Sequence, residues 1–137
     1  MGDNASEMGD NLGAINLGTG RTVLEVSTGG SFTCARLDNS TVKCWGFGWN
    51  GEIASGASNK LGDGAGEMGD NLNIVDLGTG RTVTSLSTGS SHGCVILDNN
   101  GVKCWGLNTY GRLGQGDTTS RGANPSGMGD NLNEIDL

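Results

Sequence analysis

The sequence predicts an all-β protein built from tandem β-propeller-type blades. The first reason is a period of 60 residues, since Met-Gly-Asp-Asn-Leu occurs at residues 8–12, 68–72 and 128–132. The second reason is that each period contains short runs of alternating apolar and polar residues, bounded by turn-forming residues, which is typical of strands. Four short strands in a unit of about 40–60 residues, repeated in tandem, indicate a propeller blade.

The strand prediction follows this alternation along the chain. Thr82-Val-Thr-Ser-Leu-Ser-Thr88 alternates apolar and polar residues, and Gly93-Cys-Val-Ile-Leu97 has the apolar run of a more buried strand. Asp98-Asn-Asn-Gly101 predicts a turn in which the glycine takes a positive φ. The predicted strands are 22–27, 33–37, 42–45, 82–88, 93–97 and 102–105, with a fourth short strand at 73–77 and Gly/Asn-rich connections at 46–72 and 106–132.

The period divides the chain into three parts of one propeller-type domain. Residues 1–60 form the first repeat, residues 61–120 the second, and residues 121–137 start a third. Gly-Thr-Gly-Arg-Thr-Val, which recurs at 18–23 and 78–83, supports the same spacing and is predicted to be a turn that leads into a strand.

A single blade cannot bury both of its faces, so each blade needs neighbours. We therefore expect that this chain does not work as a free monomer. Its partner would be a second copy, joined head to tail, or the rest of a longer chain. If the rotation from blade to blade closes, three or four copies would form a ring of about six to eight blades, and otherwise the product is an open fibre.

Composition excludes several classes of protein. The chain contains 27 glycines, and interior glycines disfavour a large helical bundle. No run of about 18 apolar residues is present, so membrane insertion is not expected. Eight Lys and Arg residues stand against 15 Asp and Glu residues, and the net charge of −7 argues against nucleic acid as a partner.

The four cysteines form two equally spaced pairs. Cys34 and Cys44 lie ten residues apart around a predicted turn, as do Cys94 and Cys104. Four cysteines allow three pairings, and the repeat favours the two local ones, provided that the turn has an odd loop length. Free buried thiols are the alternative, whereas zinc would need more ligands than His92 supplies. Disulfides imply an oxidising compartment, hence an extracellular or cell-surface location.

The other candidate residues predict little chemistry. Asp10-Asn11, Asp70-Asn71 and Asp130-Asn131 contain oxygen ligands that calcium prefers, or they form turns by bonding the local backbone. His92, whose counterpart in the first repeat is Phe32, has no partner base or nucleophile motif in the sequence. We therefore expect no enzyme activity, no catalytic residues, no bound metal and no cofactor.

The tryptophans differ in their predicted roles. Trp45 and Trp105 end strands and are expected to pack against a neighbouring blade. Trp49 lies in a connection, where its counterpart is Thr109, and it is the best candidate for an exposed contact.

The second repeat resembles a known family. Ser87-Thr-Gly-Ser-Ser-His-Gly-Cys-Val-Ile-Leu-Asp-Asn-Asn-Gly-Val-Lys-Cys-Trp-Gly106, followed by Tyr110-Gly-Arg-Leu-Gly-Gln-Gly-Asp117, is similar to the regulator of chromosome condensation repeat. The likeness is closest to secreted bacterial members with paired cysteines, and the first repeat departs from it at 49–56. The resemblance implies a propeller, typically of seven blades, and in full nuclear rings an exchange activity towards a small GTPase.

These observations favour a non-enzymatic extracellular module with a structural or protein-interaction role. Its partner would be itself, the rest of a longer chain or an unknown protein. One alternative is a guanine-nucleotide exchange factor, by family analogy alone. The other is a carbohydrate-binding propeller with Trp49 as a platform, although such a protein should repeat its aromatic residues and Trp49 corresponds to Thr109.

Overall fold

The computed structural model describes residues 3–137 and contains two antiparallel β-sheets. The strands are β1 Val23–Thr28, β2 Phe32–Leu37, β3 Val42–Gly48, β4 Asn59–Leu61, β5 Val83–Thr88, β6 His92–Leu97 and β7 Val102–Gly106. The first sheet, blade 1, has the order β1-β2-β3-β4, and the second, blade 2, has the order β5-β6-β7. Helical residues within 3–137 are confined to three-residue 3₁₀ turns. The all-β prediction is therefore confirmed. The first two residues of the predicted repeat 1–60 lie outside the described residues.

Six of the predicted strands match the structure, but the fourth strand was placed wrongly. Residues 59–61, expected to be a connection, form β4 and pair with the end of β3 through Gly46 and Leu61. The predicted strand 73–77 contributes only a single bridge, between Ile74 and Lys43. A three-residue strand is too short to show alternation, which is why the sequence did not predict β4.

Three residues, 38–40 in blade 1 and 98–100 in blade 2, separate the bonded pairs that close the hairpins β2-β3 and β6-β7, and this loop length sets the register. In blade 1, Leu37 N donates to Thr41 O at 2.9 Å, and Ser40 takes a φ of 61°. In blade 2, Asn100 has a φ of 64°. The prediction that Gly101 takes the positive φ was therefore wrong, because Asn100 tolerates this conformation. A Cβ at position 101 would meet the carboxylate of Glu134, which is the end of an exposed, flexible side chain.

The odd loop length places the paired cysteines directly opposite each other. Cys34 faces Cys44 and Cys94 faces Cys104, and the Cα atoms of each pair are 4.1 Å apart. Both pairs form disulfides, as the sequence predicted. The bonds join β2 to β3 and β6 to β7, so each one cross-links the two strands of a hairpin.

The larger core cluster lies between the two sheets, and a smaller cluster consists of Leu17, Ala35, Leu37 and Leu72. Blade 1 contributes apolar side chains from its second and third strands, and blade 2 contributes side chains from β5, β6 and β7. The buried members of the larger cluster include Phe32, Val42, Ile53, Val83, Leu86, Val95, Leu97 and Trp105. Because each sheet is apolar on the side that faces the other, the two blades stabilise one another.

We predict that replacing both Cys94 and Cys104 by alanine lowers the free energy of unfolding by about 2–3 kcal/mol, because the bond closes a short loop in the unfolded chain. Denaturant unfolding of the variant and of the unreduced parent protein measures the difference. The pairing itself is tested by alkylating the native, unreduced protein, and four modified thiols would contradict it.

Candidate interaction surface

Each blade is closed by a carboxylate that comes from far along the chain. The backbone N–H of Thr19 donates to Asp70 Oδ1 at 2.8 Å, and its hydroxyl donates to Asp70 Oδ2 at 2.6 Å. The buried ammonium group of Lys43 donates to Gly69 O at 2.8 Å. These bonds join the loop that leads into blade 1 to the segment that leaves it.

Blade 2 repeats this closure. Thr79 donates two hydrogen bonds of 2.8 Å to Asp130, and Lys103 Nζ donates to Gly129 O at 3.0 Å. The sequence did not reveal the role of the two lysines, although a lysine inside the apolar run Val-Lys-Cys-Trp of both repeats was an available signal.

The closure changes the interpretation of two motifs. The Asp-Asn turns were expected to bond their local backbone, but Asp70 accepts from Thr19, which lies 51 residues earlier. These hydrogen bonds lower the pKa of Asp70 and of Asp130 below their ordinary values. The Gly-Thr-Gly loops bind a carboxylate supplied by the chain itself. Residues 3–137 contain no group of three or more His, Cys, Asp or Glu side chains placed to hold a metal.

Residues 128–136 bond blade 2 in the way that residues 68–76 bond blade 1. Ile135 N donates to Val102 O, and Glu134 accepts from Asn99 Nδ2, both at 2.8 Å. The segment 121–137, predicted from the repeat to start a third unit, thus contacts blade 2, and its first part also contacts blade 1, where Gly56 N donates to Gly122 O at 2.9 Å.

Residues 3–15 carry the same motif in a different environment. Met8, Leu12 and Ile15 are 55%, 45% and 61% exposed. The equivalent Leu72 and Leu132 are 2% and 0% exposed. We call residues 3–15 the N-terminal motif segment.

The junction between the blades buries three apolar positions of blade 2. Val83, Leu86 and Trp105 are 2%, 4% and 0% exposed. The indole N–H of Trp105 donates to Glu52 O at 2.9 Å. Burial of the large ring together with its polar group fixes the position of blade 2 against blade 1.

Polar contacts set the register of the same junction. Thr88 N donates to Ser27 Oγ at 3.0 Å, and the two hydroxyl groups lie 2.8 Å apart. Further bonds run from Leu86 N to Glu25 Oε2, from Val83 N to Ser40 O and from Gly30 N to Ser90 O. We call this set of contacts the blade junction.

Blade 1 exposes the residues that blade 2 buries at the junction. Val23 and Val26, the counterparts of Val83 and Leu86, are 44% and 58% exposed, and Trp45, the counterpart of Trp105, is only partly buried. We call Val23, Val26 and Trp45 the leading face. The expectation that the tryptophans pack against a neighbouring blade holds for Trp105, whereas Trp45 packs against the smaller cluster of Leu17, Ala35, Leu37 and Leu72.

Blade 2 has an incompletely covered surface on its other side. His92, Cys94 and Val102, which we call the trailing face, are half-buried, whereas the counterparts Phe32, Cys34 and Val42 are fully buried at the junction. Burial lowers the pKa of His92, with a smaller contribution from the positive charge of Arg112. His92 Nδ1 is buried without a hydrogen-bond partner among residues 3–137.

Trp49 lies on a separate part of the surface. Its ring is 59% exposed and stacks on Phe47, with 6.3 Å between the ring centroids. Asn50 and Glu52 line a small groove beside Phe47, and both carboxylate oxygens of Glu52 accept hydrogen bonds from Asn50. Trp49 is exposed, but its role as a contact residue stays a prediction.

Two antiparallel sheets that stack face to face in this way, and recur with a fixed period, are consecutive blades of a β-propeller. Residues 83–112 match the family model "Regulator of chromosome condensation (RCC1) repeat". The chain therefore carries the RCC1 repeat, as the sequence resemblance predicted.

Curated relatives and solved structures agree with this assignment. The E3 ubiquitin-protein ligases HERC2 of Homo sapiens and Mus musculus are each 29% identical to the chain over 96 residues, which is 70% of this chain and 2% of theirs. Human WBSCR16 superposes with a TM-score of 0.58 at 18% identity, over 88% of this chain and 27% of that protein. Yeast RCC1 (Prp20), solved bound to Kap60, superposes with a TM-score of 0.61 at 14% identity, over 90% of this chain and 25% of that one. The chain thus spans about a quarter of the solved structures that it matches.

Within residues 3–137, no helix has the length and apolar character needed to cross a membrane.

We predict that Asp130→Asn lowers the free energy of unfolding at neutral pH and weakens its dependence on pH in acid. The pKa of Asp130 is lowered in the folded state, so its contribution is present above the unfolded pKa and is lost as the pH falls through the folded pKa. Thermal unfolding between pH 2 and pH 7 measures both effects.

Asp10→Asn is the matched control for this prediction. Asp10 occupies the same position of the motif, but the loop that would face it, 51 residues earlier, is not in this sequence. An equal loss of stability in the two variants would contradict the closing role of Asp130.

Proposed function

We propose that this chain is a non-enzymatic protein-interaction module of propeller blades, acting outside the cytoplasm, that binds a further blade through its leading face. A single observation carries the proposal: Val23 and Val26 of blade 1 are exposed and Trp45 is only partly buried, whereas the equivalent side chains of blade 2 are buried. Full burial of a Val side chain contributes about 1.5–3 kcal/mol, so covering this surface stabilises an assembly.

The partner that fits the leading face best is a second copy of the chain. The residues that cover the leading face must resemble those of blade 1 that cover Val83, Leu86 and Trp105. Blade 2 offers such residues at the trailing face, where His92 and Val102 correspond to Phe32 and Val42. Contact of one copy's leading face with another copy's trailing face is heterologous, so copies add head to tail into a ring or a fibre. A further blade of a longer polypeptide would satisfy the same surface.

Two further observations support the biological setting of the proposal. The two disulfides are compatible with an oxidising compartment outside the cytoplasm. Saccharomyces cerevisiae Prp20p, whose structure superposes with a TM-score of 0.61 at 12% identity, over 90% of this chain and 27% of that one, was studied for binding to Gsp1p and histones. Propellers of this fold therefore present surfaces to protein partners.

The proposal predicts that Val26→Asp weakens self-association by about tenfold or more, because a charge replaces an apolar side chain in the interface. Leu24→Asp is the matched control. Leu24 lies on the same strand and is 56% exposed. Its counterpart Thr84 stays exposed in the chain, so the blade junction does not bury this position. This control variant should retain the association constant within about twofold.

Sedimentation equilibrium at micromolar concentrations measures both variants and the parent protein. The expected parent particle is a multiple of 13.9 kDa. A folded parent protein that stays at 13.9 kDa over this range would contradict self-association.

A further inference from the structure

The blade junction inside the chain predicts the contacts of a junction between two copies. This inference rests on the proposed head-to-tail association. In such an association, blade 2 of one copy takes the place of blade 1, and blade 1 of the next copy takes the place of blade 2. Each contact residue is then replaced by its counterpart 60 positions away, so the sequence decides which bonds can form again.

The hydroxyl pair of the junction is reproduced without change. Ser27 and Thr88, which bond within the chain, become Ser87 of one copy and Thr28 of the next. Both Ser87 and Thr28 are exposed in the single chain, whereas Ser27 and Thr88 are partly buried. The two exposed residues are therefore accessible to a second copy.

Three bonds to backbone carbonyls can also form again, since they do not depend on the acceptor's side chain. Trp45 Nε1 would donate to Arg112 O, as Trp105 donates to Glu52 O. The other two would join Val23 N to Asn100 O and Ser90 N to Gly30 O. One bond changes, because Ser85 stands where Glu25 accepts from Leu86 N.

Two segments compete for one position on blade 2 when a second copy binds. They are the segment that leaves blade 2 and the N-terminal motif segment of the second copy. Residues 128–136 already occupy it, because Thr79, Lys103, Val102 and Asn99 all bond them. The competing residues 8–15 have Ala14 where Glu134 bonds Asn99, so they cannot form that contact. Met8, Leu12 and Ile15 are already exposed in the single chain, so they lose no burial if the segment stays outside the contact.

We infer that copies join in the register of the internal blade junction, with Thr28 of one copy against Ser87 of the other. Residues 128–136 of the first copy stay in place at this junction, and residues 3–15 of the second copy remain outside it. The leading face of the second copy is thus covered by the trailing face of the first copy.

Cysteine cross-linking between two different variants tests this register. Thr28→Cys and Ser87→Cys are prepared separately, mixed and oxidised mildly, and the products are separated without reductant. The expected product is a covalent dimer that forms in the mixture at least about tenfold faster than in either variant alone, since each variant alone lacks the facing thiol. Peptide mapping must place the new bond between residues 28 and 87.

A mixture of Thr28→Cys with Thr84→Cys is the control, because Thr84 is exposed but takes no part in the junction contacts. Equal cross-linking in both mixtures would overturn the register. Self-association of the parent protein without a 28–87 cross-link would also overturn it, while leaving the proposed association intact. A parent protein that remains monomeric would overturn both.

Deletion of residues 3–15 tests the position of the N-terminal motif segment. The truncated chain should associate with the same constant as the parent protein, within about twofold. A loss of association on deletion, with Val26→Asp having no effect, would show that the segment rather than the leading face forms the contact.

Discussion

A β-sheet with two apolar sides must be covered on both, and this constraint shapes the whole molecule. Blade 1 covers one side of blade 2 and buries Val83, Leu86 and Trp105. The same positions of blade 1, Val23 and Val26 among them, are exposed because no described blade precedes it. The exposed positions of blade 1 are therefore those that blade 2 buries inside the chain.

The repeat has a second consequence, which is that each blade is closed by bonds of its own. The hairpin of every blade is held by a disulfide, and its first and last segments are joined by a threonine, an aspartate and a buried lysine. Asp70 and Asp130 perform this closure for blades 1 and 2. Because these bonds lie within a blade, the contact between blades is free to be made within one chain or between two.

Local features of the fold could be predicted from the sequence, and long-range features could not. Alternation predicted six strands, and the ten-residue spacing predicted the Cys34–Cys44 and Cys94–Cys104 bonds, since strand register and loop length are local properties. The bond between Thr19 and Asp70 spans 51 residues, and although both motifs recur with the period, the period does not show that they bond each other. Trp49 is exposed as the sequence predicted, and its role as a contact stays a prediction. The exposure of Val23 and Val26 could not be predicted, because their pattern is that of ordinary strands.

The central claim is that the junction inside the chain is repeated between chains. Hydrogen exchange of the indole N–H groups of Trp45 and Trp105, followed by NMR at increasing protein concentration, tests it most directly. Trp105 is fully buried and bonded to Glu52 O, so its indole should exchange slowly at every concentration. The account predicts that exchange of the Trp45 indole slows as concentration rises and approaches that of Trp105. Rapid exchange of Trp45 that is independent of concentration would contradict the account.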